Sequence, residues 1–326
     1  MKYFFILMIF GCTSIKTINL QKHSFNDVPK NIIWLQIAGL SPEHLAMIRF
    51  DDRADSAGPE LEKSTCLGNM WTYNSYKLRP TPSESFLTQL TGKTNINNTC
   101  EDFSNKPLWH YLNDRGFKTG VLEVGANFDE TLDRAFECQE GNDFKNIMFF
   151  SMSKDVKGGF KKLDLLDSTP FKSGNKYHIS CEVCEQNLFP TMTSIMERFE
   201  NGKDYNLFIL RDFSYLKYLK NGDFKNAKYF LEGLSKIYKT LKERKETLIL
   251  LTSSGMAKMD LPPAGAQWFE FEKSGKNAPY KADSLLSFVM ADGSGSEKFC
   301  GIYSESDLLE RILIDPRKKF KQFLFW

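Results

Sequence analysis

Several residues that could take part in chemistry stand where apolar runs of this sequence end. Residues 248–252 read L-I-L-L-T, and Ser253, Ser254 and Gly255 follow at once. A buried parallel strand that delivers a loop at its carboxyl end is the usual ligand-binding arrangement of an open α/β sheet. Hydroxyl groups there can contact a substrate or an anion, but this loop carries neither a base nor a metal ligand. The strand thus has the position of a catalytic strand without its chemistry.

Two more hydroxyl groups and one carboxylate are candidates for catalysis. Thr81 and Ser83 flank Pro82 at the start of a predicted helix, and Asp212 follows a predicted strand. A neutral hydroxyl becomes a competent nucleophile only beside a base or a metal, and neither is evident here. Ser83 followed by Glu84 is typical of a helix N-cap, so we expect Ser83 to cap the helix.

The first residues have the pattern of an export signal. Met1 and Lys2 precede the apolar run 3–10, which is too short to span a bilayer. The run ends in I-F-G-C, which resembles the lipobox of bacterial lipoproteins, where cleavage before the cysteine leaves it lipid-modified. We therefore expect a signal peptide at 1–11, lipid on Cys12, and a polar tether at 12–30. An ordinary signal peptide or a short membrane anchor is the alternative.

Export changes what the other cysteines mean. An even number of cysteines in an oxidising compartment predicts disulfides, although the sequence does not choose the pairing. His178 with Cys181 and Cys184 is the alternative of a zinc site, but a structural zinc site needs four ligands and only three are visible. We expect disulfides among Cys66, Cys100, Cys138, Cys181, Cys184 and Cys300.

The rest of the chain alternates predicted strands and helices, which indicates an α/β fold with a wound, mostly parallel sheet. The predicted strands cover 31–38, 118–124, 205–210, 247–252 and 285–290, and the predicted helices begin near Ser41 and cover 80–92, 108–115, 227–242 and 306–314. Residues 126–204 interrupt this alternation with three cysteines, adjacent glycines and a proline. We expect one domain from 31–125 and 205–326, with 126–204 as an inserted cap or subdomain.

Composition and charge exclude some classes of protein. The chain has 326 residues, of which 41% are hydrophobic, so it can bury a large core. Its 43 basic and 41 acidic side chains nearly cancel. The lysine-rich stretches 157–162 and 317–321 are short and are interpreted as solvated surface. We therefore expect no nucleic-acid partner.

Six segments, in order, resemble the alkaline phosphatase and sulfatase superfamily. N-I-I-W-L-Q-I-A-G-L-S-P-E-H-L is similar to that family's first strand and its D-G-L-R-P-D-H-L segment, and P-S-E-S-F-L-T-Q-L-T-G-K to the helix that carries the nucleophile. P-L-W-H-Y-L-N-D-R-G-F-K-T-G-V is similar to the next helix and strand. R-D-F-S-Y resembles the D-x-x-x-H segment, T-L-I-L-L-T-S-S-G-M resembles T-L-I-V-V-T-S-D-H-G-M, and G-S-G-S-E-K-F-C-G-I-Y resembles G-P-G-A-E-x-F-x-G-V-Y.

The resemblance implies two cations held by Asp and His ligands and an activated Ser, Thr or modified Cys that attacks phosphorus or sulfur esters. Here the matching positions lack most of those groups. Ala38 stands for the first Asp, Pro82 for the nucleophile, Ser254 and Gly255 for an Asp and His, and Lys281 lies near the last His. Asp212 alone keeps its carboxylate.

We call the positions that match the family's site the vestigial site, and we expect them to converge at the carboxyl ends of the strands. They are Ala38, Pro82, Asp212, Ser253, Ser254 and Lys281. Lys281 would place a positive charge where a cation sits in the family and leave a weak anion-binding pocket.

The sequence favours a non-catalytic envelope lipoprotein that binds or scaffolds. We expect no metal cofactor, a lipid anchor as the sole membrane attachment, and an envelope protein or an anionic ligand as partner. The protein would face the periplasm or the cell exterior. One alternative is a phosphoesterase or sulfatase with zinc or another divalent cation, using Thr81 or Ser83, Asp212 and ligands from the insertion. Another is an envelope glycan or lipid transferase.

Overall fold

The structure is a computed structural model that describes residues 28–49, 60–138, 142–153, 158–165, 169–179, 187–200, 205–259, 261, 266–274, 280–281 and 284–313. Its strands are β1 (Asn31–Ala38), β2 (Cys66–Trp71), β3 (Phe117–Val124), β4 (Met148–Met152), β5 (Phe160–Lys162), β6 (Lys176–His178), β7 (Tyr205–Asp212), β8 (Thr247–Ser254), β9 (Lys258–Met259), β10 (Tyr280–Lys281), β11 (Leu286–Gly293) and β12 (Gly301–Ser304).

The described strands form one large sheet and one small sheet. The large sheet has ten strands in the order β12-β2-β11-β8-β1-β7-β3-β4-β6-β5, and β9 pairs with β10 in the small one. Neighbouring strands from β8 to β5 are parallel, whereas β11 is antiparallel to both β8 and β2. The fold class predicted from sequence, a wound and mostly parallel α/β sheet, is confirmed.

Helices cover both faces of the large sheet. They are α1 (Ala46–Arg49), α2 (Pro82–Thr91), α3 (Leu108–Asn113), α4 (Arg134–Glu137), α5 (Leu188–Phe199), α6 (Ser214–Lys220), α7 (Phe224–Lys242), α8 (Ala266–Ser274) and α9 (Asp307–Leu313). Alternate residues of β1 point to opposite faces, so Ile33 and Leu35 join the core under α5, α6 and α7, while Ile32 and Trp34 join the core under α2, α3 and α9. The sheet has a hydrophobic core on each face because the side chains of its central strands are apolar on both faces.

The prediction from sequence did not include strands that are short or rich in polar residues and glycine. β2 reads C-L-G-N-M-W, and β12 is four residues long. Gly68 in β2 is required because a Cβ there would lie 2.4 Å from the carbonyl oxygen of Phe299. Glycine is uncommon in strands, so a glycine that a close contact requires makes the strand hard to recognise in the sequence.

The segment expected to form an inserted cap contributes to the main sheet. Strands β4, β6 and β5 extend the sheet outward from β3, and α5 packs in the core beneath it. Its described strands thus lie in the same layer as the rest of the chain. The division of the chain at 126–204 stays a prediction.

Within the described residues, two disulfides join distant parts of the chain. Cys66 is bonded to Cys300, which ties β2 to the residue before β12, and Cys100 is bonded to Cys138. Four of the six cysteines named from the sequence are therefore paired. Cys181 and Cys184 lie outside the described residues, as do Cys12, the predicted signal peptide and the predicted tether up to residue 27.

Among the described residues, we find no helix with the length and apolar character needed to cross a membrane.

Candidate functional site

The ends of the three central strands meet at one edge of the sheet. Strands β7, β1 and β8 are parallel neighbours in which Ile37 pairs with Asp212 and Ala38 with Ser254. Their side chains at this edge are fully buried. The structure therefore brings Ala38, Asp212, Ser253 and Ser254 together, because parallel strands in register end at the same level.

Pro82 lies at the same edge, whereas Lys281 does not join the buried group. Pro82 is the first residue of α2, and its Cγ is 3.4 Å from where a Cβ on Gly255 would lie. Lys281 is exposed and belongs to β10, where it pairs with Lys258 of β9. The charge expected at the vestigial site is therefore carried by a surface strand of the small sheet.

Asp212 uses its carboxylate to cap helix α6. Its Oδ2 accepts from Ser214 Oγ at 2.6 Å, and its Oδ1 accepts from the backbone N–H of Tyr215 at 2.9 Å. Capping of this kind satisfies donors that a helix start leaves without partners. Both oxygens of the single carboxylate kept by the vestigial site are thus engaged within the chain.

The two serines at the end of β8 are also held by the chain. Gln36 Nε2 donates to Ser254 Oγ, and the backbone N–H of Phe288 donates to Ser253 Oγ at 3.0 Å. Gln89 of α2 donates to the Ser253 carbonyl at 2.9 Å. These contacts lock the strand end against α2 and β11.

The candidate nucleophiles stand in structural roles. Thr81, not Ser83, caps α2: its Oγ1 accepts from the backbone N–H of Glu84 at 3.3 Å, and Glu84 accepts from the backbone N–H of Thr81 at 2.7 Å. The expectation that Ser83 is the cap is wrong because the helix begins at Pro82, two residues before the start that a Ser83 cap requires, and proline is favoured in the first turn. Ser83 is buried, accepts from Arg211 Nη2 at 3.0 Å, and donates to the Glu130 carbonyl at 2.9 Å.

A buried ion pair lies under the start of α2. Arg211 Nη1 contacts Glu123 Oε2 at 2.6 Å, and its guanidinium lies 4.4 Å from the Phe86 ring and 4.8 Å from the Phe213 ring. Burial pushes the pKa of Glu123 upward, and the charge of Arg211 opposes that shift. Sequence reasoning missed this pair. The signal was a charged residue inside each of two apolar strands, G-V-L-E-V and F-I-L-R-D.

A second buried polar cluster joins α2 to the sheet through Glu305. Its Oε1 accepts from Ser85 Oγ at 2.5 Å, Ser287 Oγ at 2.7 Å and Gln89 Nε2 at 2.7 Å. The Oε2 atom has no hydrogen-bond partner among the described residues. Burial raises the pKa of Glu305 to about 7. Nothing in the sequence around Glu305 pointed to this cluster, because its members come from three distant segments.

The described histidines are engaged elsewhere. His44 Nδ1 accepts from Tyr215 Oη at 2.9 Å, and burial lowers its pKa to about 3, so the ring is neutral. His110 contacts Asp143 at 2.7 Å, and His178 contacts the Ser153 carbonyl at 2.8 Å. Within the described ranges, no three His, Cys, Asp or Glu side chains are grouped as metal ligands.

Wound sheets with helices on both faces and a candidate site at the carboxyl edge form a broad class of α/β protein. Comparison with solved structures shows which fold within this class the chain has. An alkaline phosphatase from the Antarctic bacterium TAB5 matches with a TM-score of 0.61 at 16% identity, over 89% of this chain and 98% of that one. Thermus thermophilus alkaline phosphatase matches with a TM-score of 0.64 at 11% identity, over 92% and 94%.

A third match is the lipoteichoic acid synthase LtaP from Listeria monocytogenes, with a TM-score of 0.52 at 11% identity, over 88% of this chain and 72% of that one. No protein-family model and no curated protein matches the sequence. The chain has the fold of the alkaline phosphatase and sulfatase superfamily. At these identities the likeness shows the fold and leaves the activity open.

Proposed function

We propose that this protein is a non-catalytic relative of the alkaline phosphatases that acts by binding at the bacterial cell envelope. The observation that carries the proposal is the state of Asp212. The resemblance leaves it as the one family carboxylate at the strand ends, and both of its oxygens accept hydrogen bonds from the first turn of α6. Asp212 is thus a single carboxylate that also orders a helix start, whereas a pair of divalent cations needs several anionic or imidazole ligands.

The other donors at the vestigial site do not fit two cations. Ala38 offers a methyl group, Ser254 Oγ accepts from Gln36, and Lys281 lies on a surface strand. Zinc sites use three or four protein ligands, and magnesium is held by one or two carboxylates together with waters and phosphates. The residues present therefore disagree with the metal centre that the fold family implies.

The hydroxyl groups also lack a means of activation. Ser83 donates to a backbone carbonyl and accepts from a guanidinium, and neither group can take up its proton. Thr81 is exposed, but its oxygen accepts from the helix that it caps. Among the described residues, neither Thr81 Oγ1 nor Ser83 Oγ is hydrogen-bonded to a carboxylate or an imidazole that could act as the base of a phosphoesterase, sulfatase or transferase.

Metal binding tests this proposal. We expect protein purified without chelator to contain substoichiometric zinc, magnesium, manganese and calcium by elemental analysis, and titration with each ion to give no saturable heat. Asp212→Asn and Asp223→Asn form a matched pair, because Asp223 also caps a helix, α7, through the backbone N–H of Asn226. Stoichiometric metal that is lost in Asp212→Asn and kept in Asp223→Asn would overturn the proposal.

The cellular location is part of the same proposal. The two disulfides support an oxidising compartment, since disulfides seldom persist in the cytosol. The signal and lipobox pattern at the start of the chain supports a lipid anchor on Cys12. We infer an exported protein held at the envelope by lipid, with an envelope protein or an anionic ligand as its partner.

A further inference from the structure

A groove lies between α5 and α7 on the face of the sheet opposite α2. Its volume is about 690 Å³, within the range of roughly 300–1,000 Å³ that is usual for small-molecule sites. The residues that line it include four aromatic side chains and two lysines: Phe189, Tyr218, Tyr229, Phe230, Lys225 and Lys236. Because the groove lies on the other face of the sheet, binding there does not depend on whether the vestigial site is catalytic.

The floor of the groove is fixed by close packing of the two helices. A Cβ on Gly233 would lie 2.6 Å from the Phe189 ring, so the glycine lets that ring rest directly on α7. Phe189 also packs on Phe230, with ring centroids 5.3 Å apart. Arg244 and Glu200 clamp the carboxyl-terminal ends of the helices with two hydrogen bonds of 2.6 and 2.7 Å. Because close packing and these hydrogen bonds hold the two helices together, the aromatic floor of the groove is already ordered before a ligand binds.

One wall of the groove is a stripe of α7 with exposed aromatic and cationic groups. Lys225, Tyr229 and Lys236 follow each other at spacings of four and seven residues, which places them on one side of the helix. Tyr229 is 60% exposed, and Lys225 Nζ lies 6.0 Å from its ring centroid. The two lysines stand about 16 Å apart along the helix axis at 1.5 Å per residue.

The two charged residues that line the groove, Lys225 and Lys236, are both positive, while Glu232, seven residues after Lys225, lies on the same side of α7 outside the lining. None of the residues that line the groove in the described part of the chain is acidic. A ligand that fits must therefore carry negative charge and an apolar face that can lie against tyrosine and phenylalanine rings. A single phosphate cannot contact both lysines across that distance. The stripe instead suits a chain of linked rings with anionic groups along it.

We propose that this groove binds an anionic oligosaccharide. The C–H faces of the sugar rings would pack on Tyr229 and Phe189, and the carboxylate or sulfate groups would pair with Lys225 and Lys236. A lipid bilayer fits less well, because a flat surface reaches the rim of a concave groove and not its floor. Nucleic acid fits poorly because the chain carries a net charge of only +2.

Calorimetric titration of the purified protein tests the inference with defined probes. These are a hexameric oligogalacturonate, a chondroitin sulfate hexasaccharide, neutral cellohexaose, and vesicles of phosphatidylcholine with phosphatidylglycerol. We expect saturable binding of at least one anionic probe, no binding of cellohexaose, and affinity that falls as salt is added. The two anionic arms separate a carboxylate ligand from a sulfate ligand.

Variants locate the binding. The affinity for the anionic probe should fall roughly tenfold in Lys225→Ala/Lys236→Ala and in Tyr229→Ala. The control variant Lys220→Ala/Lys239→Ala removes two exposed lysines outside the groove and should leave the affinity unchanged. Absence of binding by both anionic probes, equal binding of cellohexaose, or equal loss in the control variant would overturn the inference. Binding to anionic vesicles alone would also overturn it, because the occupant would then be the membrane.

Discussion

The polar side chains at and beside the vestigial site form hydrogen bonds with other residues of the chain. Asp212 accepts from the start of α6, Ser254 accepts from Gln36, and Ser83 lies between Arg211 and a carbonyl oxygen. In a metal hydrolase such groups would bind cations or substrate. Their engagement in caps and strand locks gives the edge of the sheet a structural role, which makes stability the property most sensitive to these residues.

Glu305 should make stability depend on pH. Its pKa in the folded protein is about 7, above the ordinary 4.5, so the folded state binds more protons in that interval. The associated stability is fully present below about pH 4.5 and is lost as pH rises through about 7, on the order of 3 kcal/mol at most. Glu305→Gln should remove this dependence in urea unfolding at a series of pH values. The exposed variant Glu101→Gln should retain it, and an unchanged slope in Glu305→Gln would refute the assignment.

Arg211 should contribute more to stability than any exposed arginine. Arg211→Met leaves Glu123 buried without its partner, and we expect a loss of roughly 3–5 kcal/mol in the free energy of unfolding. Arg244→Met breaks the part-buried pair with Glu200 and should cost about 1 kcal/mol or less. Urea unfolding of both variants decides the matter. If Arg211→Met and Arg244→Met lose similar unfolding free energies, the buried pair does not contribute more to stability than the part-buried pair.

The sequence did not show which residues are partners in these buried clusters. Each is made by residues far apart in the chain, such as Ser85, Ser287 and Glu305, and a polar residue in a run of letters does not reveal its partner. The resemblance matched Asp212 and the end of β8 to segments of the family, and the structure places both at the carboxyl edge of the sheet. It could not show that Asp212 caps α6, since that depends on the hydrogen bonds of the following turn.

Secondary-structure elements were predictable where apolar runs were long. The predicted strand 118–124 corresponds to Phe117–Val124, and the predicted helix 227–242 to Phe224–Lys242. Strands such as β2 and β12 were missed because they are short and held by sheet pairing and by a disulfide to distant residues. Local sequence pattern carries little information about pairing across such a distance.

The disulfide that ties β2 to β12 should stabilise this edge of the sheet. Peptide mapping of unreduced protein should recover Cys66 linked to Cys300 and Cys100 linked to Cys138. The variant Cys66→Ser/Cys300→Ser should lose about 2–4 kcal/mol of unfolding free energy, because the unfolded chain is no longer restricted. Peptides that link either pair differently would contradict the arrangement described here.

The whole molecule is expected to be anchored at the envelope through Cys12. A bacterial lipoprotein carries several acyl chains, which anchor stably where one chain would not. Wild-type protein should therefore fractionate with membranes, and Cys12→Ser should be released or remain an uncleaved precursor. Cys66→Ser/Cys300→Ser serves as a control for general cysteine effects. Wild-type protein that is soluble with a mature N-terminus elsewhere would exclude this anchor.

The central claim is that an alkaline phosphatase-like fold here lacks catalysis, and ester turnover tests it most directly. Purified protein should be assayed on an aryl phosphate, a phosphodiester and a sulfate ester, each with added zinc, magnesium, manganese or calcium. We predict no hydrolysis above the buffer rate under any condition, because in the described part of the chain neither Thr81 Oγ1 nor Ser83 Oγ is hydrogen-bonded to a carboxylate or an imidazole. Metal-dependent turnover that disappears in Thr81→Ala or Ser83→Ala, in variants shown by circular dichroism to be folded, would contradict the claim.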